Sequence, residues 1–86
     1  MKLENSTFTI YEVEEIKDLF EASLVHDDKI VVDLANVTKI DMSAIQLLIS
    51  LKQTCIEKNK LFQIQNANDD ILNAFNVSGV AYILGV

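Results

Sequence analysis

Hydrophobic positions along this chain change their period several times, and each change marks a boundary between elements. Between Glu12 and Val25 the apolar residues Val13, Ile16, Leu19, Phe20 and Leu24 recur at helical spacing, while Glu12, Glu14, Glu15, Lys17, Asp18 and Glu21 fill the other side. This predicts an amphipathic helix. Its acidic start suits the positive end of the helix dipole, Lys17 and Glu21 stand one turn apart, and His26-Asp27-Asp28 breaks the pattern. Upstream, Thr7 to Tyr11 mixes β-branched and aromatic residues and predicts one edge strand, with Leu3 opening the same strand or an earlier one.

Downstream, Ile30-Val31-Val32-Asp33-Leu34 is a continuous β-branched run, the signature of a central strand covered on both faces in a parallel sheet. After a loop from Ala35 to Ile40, Asp41-Met42-Ser43 leads into a long helix from Ala44 to about Asn59. Its polar residues Gln46, Ser50, Gln53, Thr54 and Glu57 form one narrow stripe, so the rest of its surface must pack broadly on the sheet. Leu61-Phe62-Gln63-Ile64-Gln65 alternates and predicts a strand with one dry and one wet face. Asn68 or Asp69 caps a short helix through Ile71, Leu72 and Phe75 that closes near Gly79, and Val80 to Leu84 forms a last strand or an irregular tail. The fold class is therefore α/β: a small open sheet of about four strands with three or four helices joined by right-handed crossovers.

Composition narrows the functions this fold can carry. At 86 residues, half of them hydrophobic and none of them proline, the chain is expected to form one domain over residues 1–86. Seven basic against thirteen acidic side chains give a net charge of -6, which disfavours nucleic acid and anionic membranes and suits a basic or apolar protein partner. No apolar run approaches a bilayer span and the first residues lack a secretory pattern, so no direct membrane insertion and a cytoplasmic location are expected. The single Cys55 cannot form an internal disulfide, which fits a reducing compartment.

Candidate chemistry is sparse. Asp33 and Asp41 lie at the two ends of the loop after the central strand and can be read as a carboxylate pair for acid/base or metal chemistry, but no cluster of His, Cys or Glu accompanies them to complete a metal shell, and each has a structural reading that is preferred, Asp33 on loop N–H groups and Asp41 on a helix dipole. His26 reads as a solvated turn residue and Cys55 as a small buried hydrophobe. With no Gly-rich phosphate loop and no nucleophile elbow, neither an enzyme nor a cofactor or metal is expected.

The stretch from Val31 to Leu48, with a buried strand ending in Asp33-Leu34, then Ile40-Asp41, a hydroxyl-bearing Ser43, the small Ala44 and a long apolar helix, resembles the centre of the STAS family. Thr9-Ile10-Tyr11 before the first helix, Asn66 after the third predicted strand and Ile71 to Gly79 with a short apolar end extend the resemblance over nearly the whole chain. It implies an anti-sigma-factor antagonist that works by partner switching: it binds an anti-sigma factor with kinase activity until phosphorylation of a Ser or Thr directly after the Asp ends the interaction. A helix N-terminus tolerates such a phosphate, which adds nearly two negative charges to the binding surface.

Here the residue after Asp41 is Met42, which cannot accept a phosphoryl group, and the small residue usual as glycine is Ala44. Three readings follow. Ser43 is only the helix N-cap, forming a capping box with Gln46 worth about 1 kcal/mol. Ser43 is also a displaced phosphoacceptor. Phosphoregulation is lost and Met42 is an adaptable apolar contact. The first and third are compatible and together are preferred. The expected partner surface is Asn36, Thr38, Lys39, Asp41, Met42, Ser43 and Gln46, with Asp33 and Asp41 as the acidic residues of the family pattern. The resemblance equally admits an accessory STAS subunit of a lipid-transport complex or chemosensory assembly, and dimerisation through an apolar surface or an edge strand is compatible with both.

Overall fold

A computed structural model describes residues 1–86. In chain order the elements are β1 (Thr7–Phe8), α1 (Val13–His26), β2 (Lys29–Asp33), β3 (Lys39–Ile40), α2 (Met42–Glu57), β4 (Leu61–Gln65), α3 (Asp69–Val77) and α4 (Ala81–Leu84). Four strands and four helices agree with the expected α/β class.

All strand pairs are parallel. β2 and β4 run together from Lys29 opposite Leu61 to Asp33 opposite Gln65, and β1 pairs with β3 through Thr7 with Lys39 and Phe8 with Ile40. The N-terminal segment joins these two pairs. Lys2 bridges to Asp33, Leu3 N–H donates to the Asp33 carbonyl at 3.1 Å, and Asp33 N–H donates to the Met1 carbonyl at 3.0 Å. Followed across its hydrogen bonds, the sheet therefore reads β3, the N-terminal segment with β1, β2, β4. The segment expected to be an edge strand lies inside the sheet, with Leu3 and Phe8 fully buried, and its strand stops at Phe8 because Thr9 to Tyr11 form a turn.

The crossover from β2 passes over this segment and emerges as β3, a two-residue strand inside the stretch expected to be loop. Thr38 holds it there: its N–H donates to the Ser6 carbonyl at 2.7 Å and its hydroxyl to the same oxygen at 3.1 Å. The C-terminal stretch expected as strand or tail is instead the short helix α4, closed by Gly85 in the left-handed region. Val80 precedes it as a buried anchor, and Leu84 seals the end of the core.

α2 packs against α1, α4 and β4, and α3 against β3 and α4. The inner sheet face presents Ile30, Val32, Phe62 and Ile64 to the core. On the other face Val31 is only half-buried, and Leu61, Gln63 and Gln65 are exposed. The β-branched run of β2 is thus sealed on one face, while the alternation in β4 gave its dry and wet sides correctly. The whole interior, from Leu3 to Leu84, is apolar, with no buried polar or charged residue. α2 supplies Ala44, Ile45, Leu47, Leu48, Leu51 and Cys55 to it, while Ile56, also on the apolar side of the pattern, remains exposed.

Candidate functional site

Asp41 organises the expected contact surface. It is the N-cap of α2, its backbone extended, and its Oδ1 accepts from Ala44 N–H at 3.1 Å. Its Oδ2 accepts from Ile10 N–H at 3.0 Å, and its own N–H donates to the Phe8 carbonyl at 3.3 Å. One carboxylate thus satisfies a free donor of the helix end and also pins the turn after β1 against it. This corrects the expected capping box: the helix starts at Met42, so Ser43 lies in its first turn and does not cap, and Gln46 stands one turn further on, exposed. The helix starts two residues before the expected Ala44: Asp41 and Ser43 are equally good cap types, and the Ile10 contact selects Asp41.

The pinned turn brings residues to the site that the sequence pattern had left out. Ile10 and Tyr11, 62% and 90% exposed, lie on the turn that Asp41 ties to the helix start, where Met42 is itself 52% exposed, so both tied segments leave large apolar side chains on the surface. Thr7, Thr9, Tyr11, Glu12, Lys39 and Asp41 line a shallow groove of about 430 Å³. Glu12 is spent on structure within it. Its Oε1 accepts from Thr9 N–H and Thr9 hydroxyl, both at 2.9 Å, and from Thr7 hydroxyl at 3.0 Å. Partial burial opposes ionisation of Glu12, as does the neighbouring Asp41 charge, but the Thr9 and Thr7 hydrogen bonds outweigh both and hold its carboxyl below the usual range. The spacing Thr9-x-x-Glu12 is a capping-box pattern, a local signal that could have revealed this turn.

The remaining expected residues fall into three places. Lys39, Met42, Ser43 and Gln46 flank Asp41 on β3 and the start of α2, Ser43 half-buried and the other three exposed. Asn36 and Thr38 lie on the crossover and have structural duties as well, Asn36 Nδ2 donating to the Leu3 carbonyl at 3.3 Å. Asp33 is elsewhere, where β2 meets Lys2, so Asp33 and Asp41 do not face each other as a carboxylate pair. Ala35 N–H donates to Asp33 Oδ1 at 2.9 Å, and Asn66 Nδ2 to its Oδ2 at 3.2 Å. The Ala35 bond is the main reason its carboxyl lies below the usual range; desolvation opposes it, and Asn66, Gln65 and Lys2 assist. Asn66 reaches this position through a left-handed backbone, φ 60°, which asparagine tolerates well. Cys55 is fully buried, and that burial pushes its thiol up against a smaller pull from Lys60, the state of an inert core residue. No three His, Cys, Asp or Glu side chains converge in a way that could hold a metal ion.

A parallel sheet with its helices gathered on one face, and a capped helix start exposed beside a crossover loop, define the class: a small α/β domain of the STAS fold. A family model described as Mlab, STAS domain matches residues 5–85, so the chain belongs to the STAS family. In fold it is similar to a sulfate transporter family protein from Wolinella succinogenes, with a TM-score of 0.84 at 16% identity, covering 99% of this chain and 69% of that one. No curated protein matches the chain. Domains of this family are in general protein-interaction modules rather than enzymes. No helix is long and apolar enough to cross a membrane.

Proposed function

We propose that this chain is a non-catalytic regulatory module that binds a protein partner through the start of α2, the crossover from Asn36 to Asp41 and the Ile10-Tyr11 turn. The observation that carries the reading is the exposure of Ile10, Tyr11 and Met42 on the two segments that Asp41 joins, its two carboxylate oxygens holding the turn to the helix start. Large apolar side chains at the centre of a polar surface are the usual anchors of an interface. Met42 adds a flexible thioether able to adapt to a partner. With a net charge of -6 on the chain, the complementary surface is basic or apolar.

The partner in the first reading is an anti-sigma factor with kinase activity, and the chain acts in the cytoplasm. Position 42 then offers no phosphoacceptor, and the switch either moves to Ser43 or is absent. In the second reading the chain is a resident accessory subunit of a larger assembly such as a lipid-transport complex. Two observations favour it: the matching family description names Mlab, and a helix start without a hydroxyl at position 42 suits a lasting contact better than a reversible one.

Met42→Asp tests the surface common to both. It adds charge to an exposed position at a helix N-terminus, where an acid is tolerated by the fold. Affinity for the partner purified from the source cell should fall by about tenfold or more in calorimetry, with the thermal midpoint unchanged. An unchanged affinity would remove this surface. Incubation with the cognate kinase and mass spectrometry separates the two readings, since phosphate on Ser43 belongs to the first alone.

A further inference from the structure

The two edges of the sheet are treated differently. The β3 edge is two residues long and carries Lys39, two of the devices by which proteins prevent strands from pairing with other chains. The β4 edge has neither. It runs for five residues, Leu61-Phe62-Gln63-Ile64-Gln65, in unbroken register with β2 and with no charge, proline or bulge. Besides β2, α2 is the one element that packs closely on β4, and it does so from the core side.

Hydrogen-bond parity shows which groups this edge offers. Leu61 N–H donates to the Asp28 carbonyl at 3.0 Å, and the Gln65 carbonyl accepts from Leu34 N–H at 3.0 Å. In a parallel ladder the N–H and C=O of one residue point to the same side and successive residues alternate. Leu61, Gln63 and Gln65 therefore face β2, and the backbone groups of Phe62 and Ile64 face outward, unpaired.

We propose that β4 is a self-association edge, at which a second copy of this chain pairs antiparallel about a two-fold axis at Gln63. That register places Phe62 opposite Ile64 of the second copy, and by symmetry Ile64 opposite its Phe62. Both are pairs that exchange two backbone hydrogen bonds, so all four outward groups of each copy are used. Side-chain faces agree at the same time. Phe62, half-buried in one copy, meets the apolar Ile64 of the other on the core side, while Gln63 meets Gln63 on the open face. A shift of one residue would set apolar positions against polar ones, so the register is selected by the sequence. The absence of charge along β4 is what permits approach between two chains of net charge -6. This surface is formed by a different strand from the proposed docking face at Asp41, and its test is independent of that reading.

Sedimentation equilibrium over a wide concentration range reads the association directly, and Gln63→Lys is the informative variant. The side chain is exposed on the open sheet face, so the fold is kept, and at the axis the substitution sets two like charges side by side. The dissociation constant should rise by about fivefold or more with an unchanged thermal midpoint, and mixing Q63K with Q63E should restore association as a heterodimer. Hydrogen exchange gives a second reading: amides of Phe62 and Ile64 should slow as concentration rises while that of Gln63 does not. A chain that stays monomeric throughout, a dimer indifferent to Q63K, or protection rising elsewhere than at Phe62 and Ile64 would each overturn the proposal.

Discussion

At the scale of single residues, the molecule turns on which side chain caps α2. Asp41 accepts from both Ala44 and Ile10, while Ser43 has passed into the first helical turn. The two positions should therefore respond differently to the same change. Asp41→Ala should lower stability by about 1 to 2 kcal/mol in urea unfolding, since it removes a cap and the tie to the Ile10 turn together. Ser43→Ala should stay within about 0.5 kcal/mol, since the Ser43 side chain makes no capping hydrogen bond to lose. Equal losses at both positions would mean that the helix begins where the sequence alone placed it. That placement failed for a physical reason, because cap preference is a property of residue type and Asp41 and Ser43 share it. The Ile10 amide that decides between them is far away in sequence.

At the scale of elements, long periodic segments were legible and short ones were not. α1, α2, α3, β2 and β4 follow from repeated apolar spacing, which integrates many weak preferences over nine or more helical positions or a five-residue strand. β1 and β3, two residues each, have no period to read and exist because the N-terminal segment and the crossover meet in space. The helix ends show the same contrast. Of the two expected caps, Asn68 serves α3, its Oδ1 accepting from Ile71 N–H at 2.9 Å, and the chain leaves α3 through Gly79 at φ 73°. A β-carbon at Gly79 would meet nothing within 4 Å, so Gly79→Ala isolates the backbone effect. It should cost about 1 to 2 kcal/mol in urea unfolding, the penalty for an L-residue in the left-handed region. A smaller loss would show that the end of α3 relaxes to another conformation.

At the scale of the whole molecule, an apolar interior sits inside an acidic surface, and the one ion pair, Lys60 with Asp28, is at its periphery. Packing, not charge, holds the fold together, while charge governs what approaches it. Association through the neutral β4 edge should therefore strengthen with added salt, as the Debye length falls from about 10 Å at 0.1 M to about 3 Å at 1 M and the repulsion between two acidic chains is screened. Sedimentation at rising salt checks this; weakening instead would mean that ion pairs drive association.

The candidate site divides along the same line. Its local half, from Lys39 to Gln46, was legible because it lies on one continuous stretch whose order resembles the STAS family. Its other half was not. Ile10, Tyr11 and Glu12 come to Asp41 only because the N-terminal segment enters the sheet between β2 and β3, a choice made by the burial of Leu3 and Phe8. Likewise, the alternation in β4 determined which side chains are dry, but not which backbone groups are free. Periodicity along a chain specifies the faces of its elements, since each face is set by local backbone geometry. Neighbours and edges depend on which apolar faces find one another, and that only the tertiary structure decided.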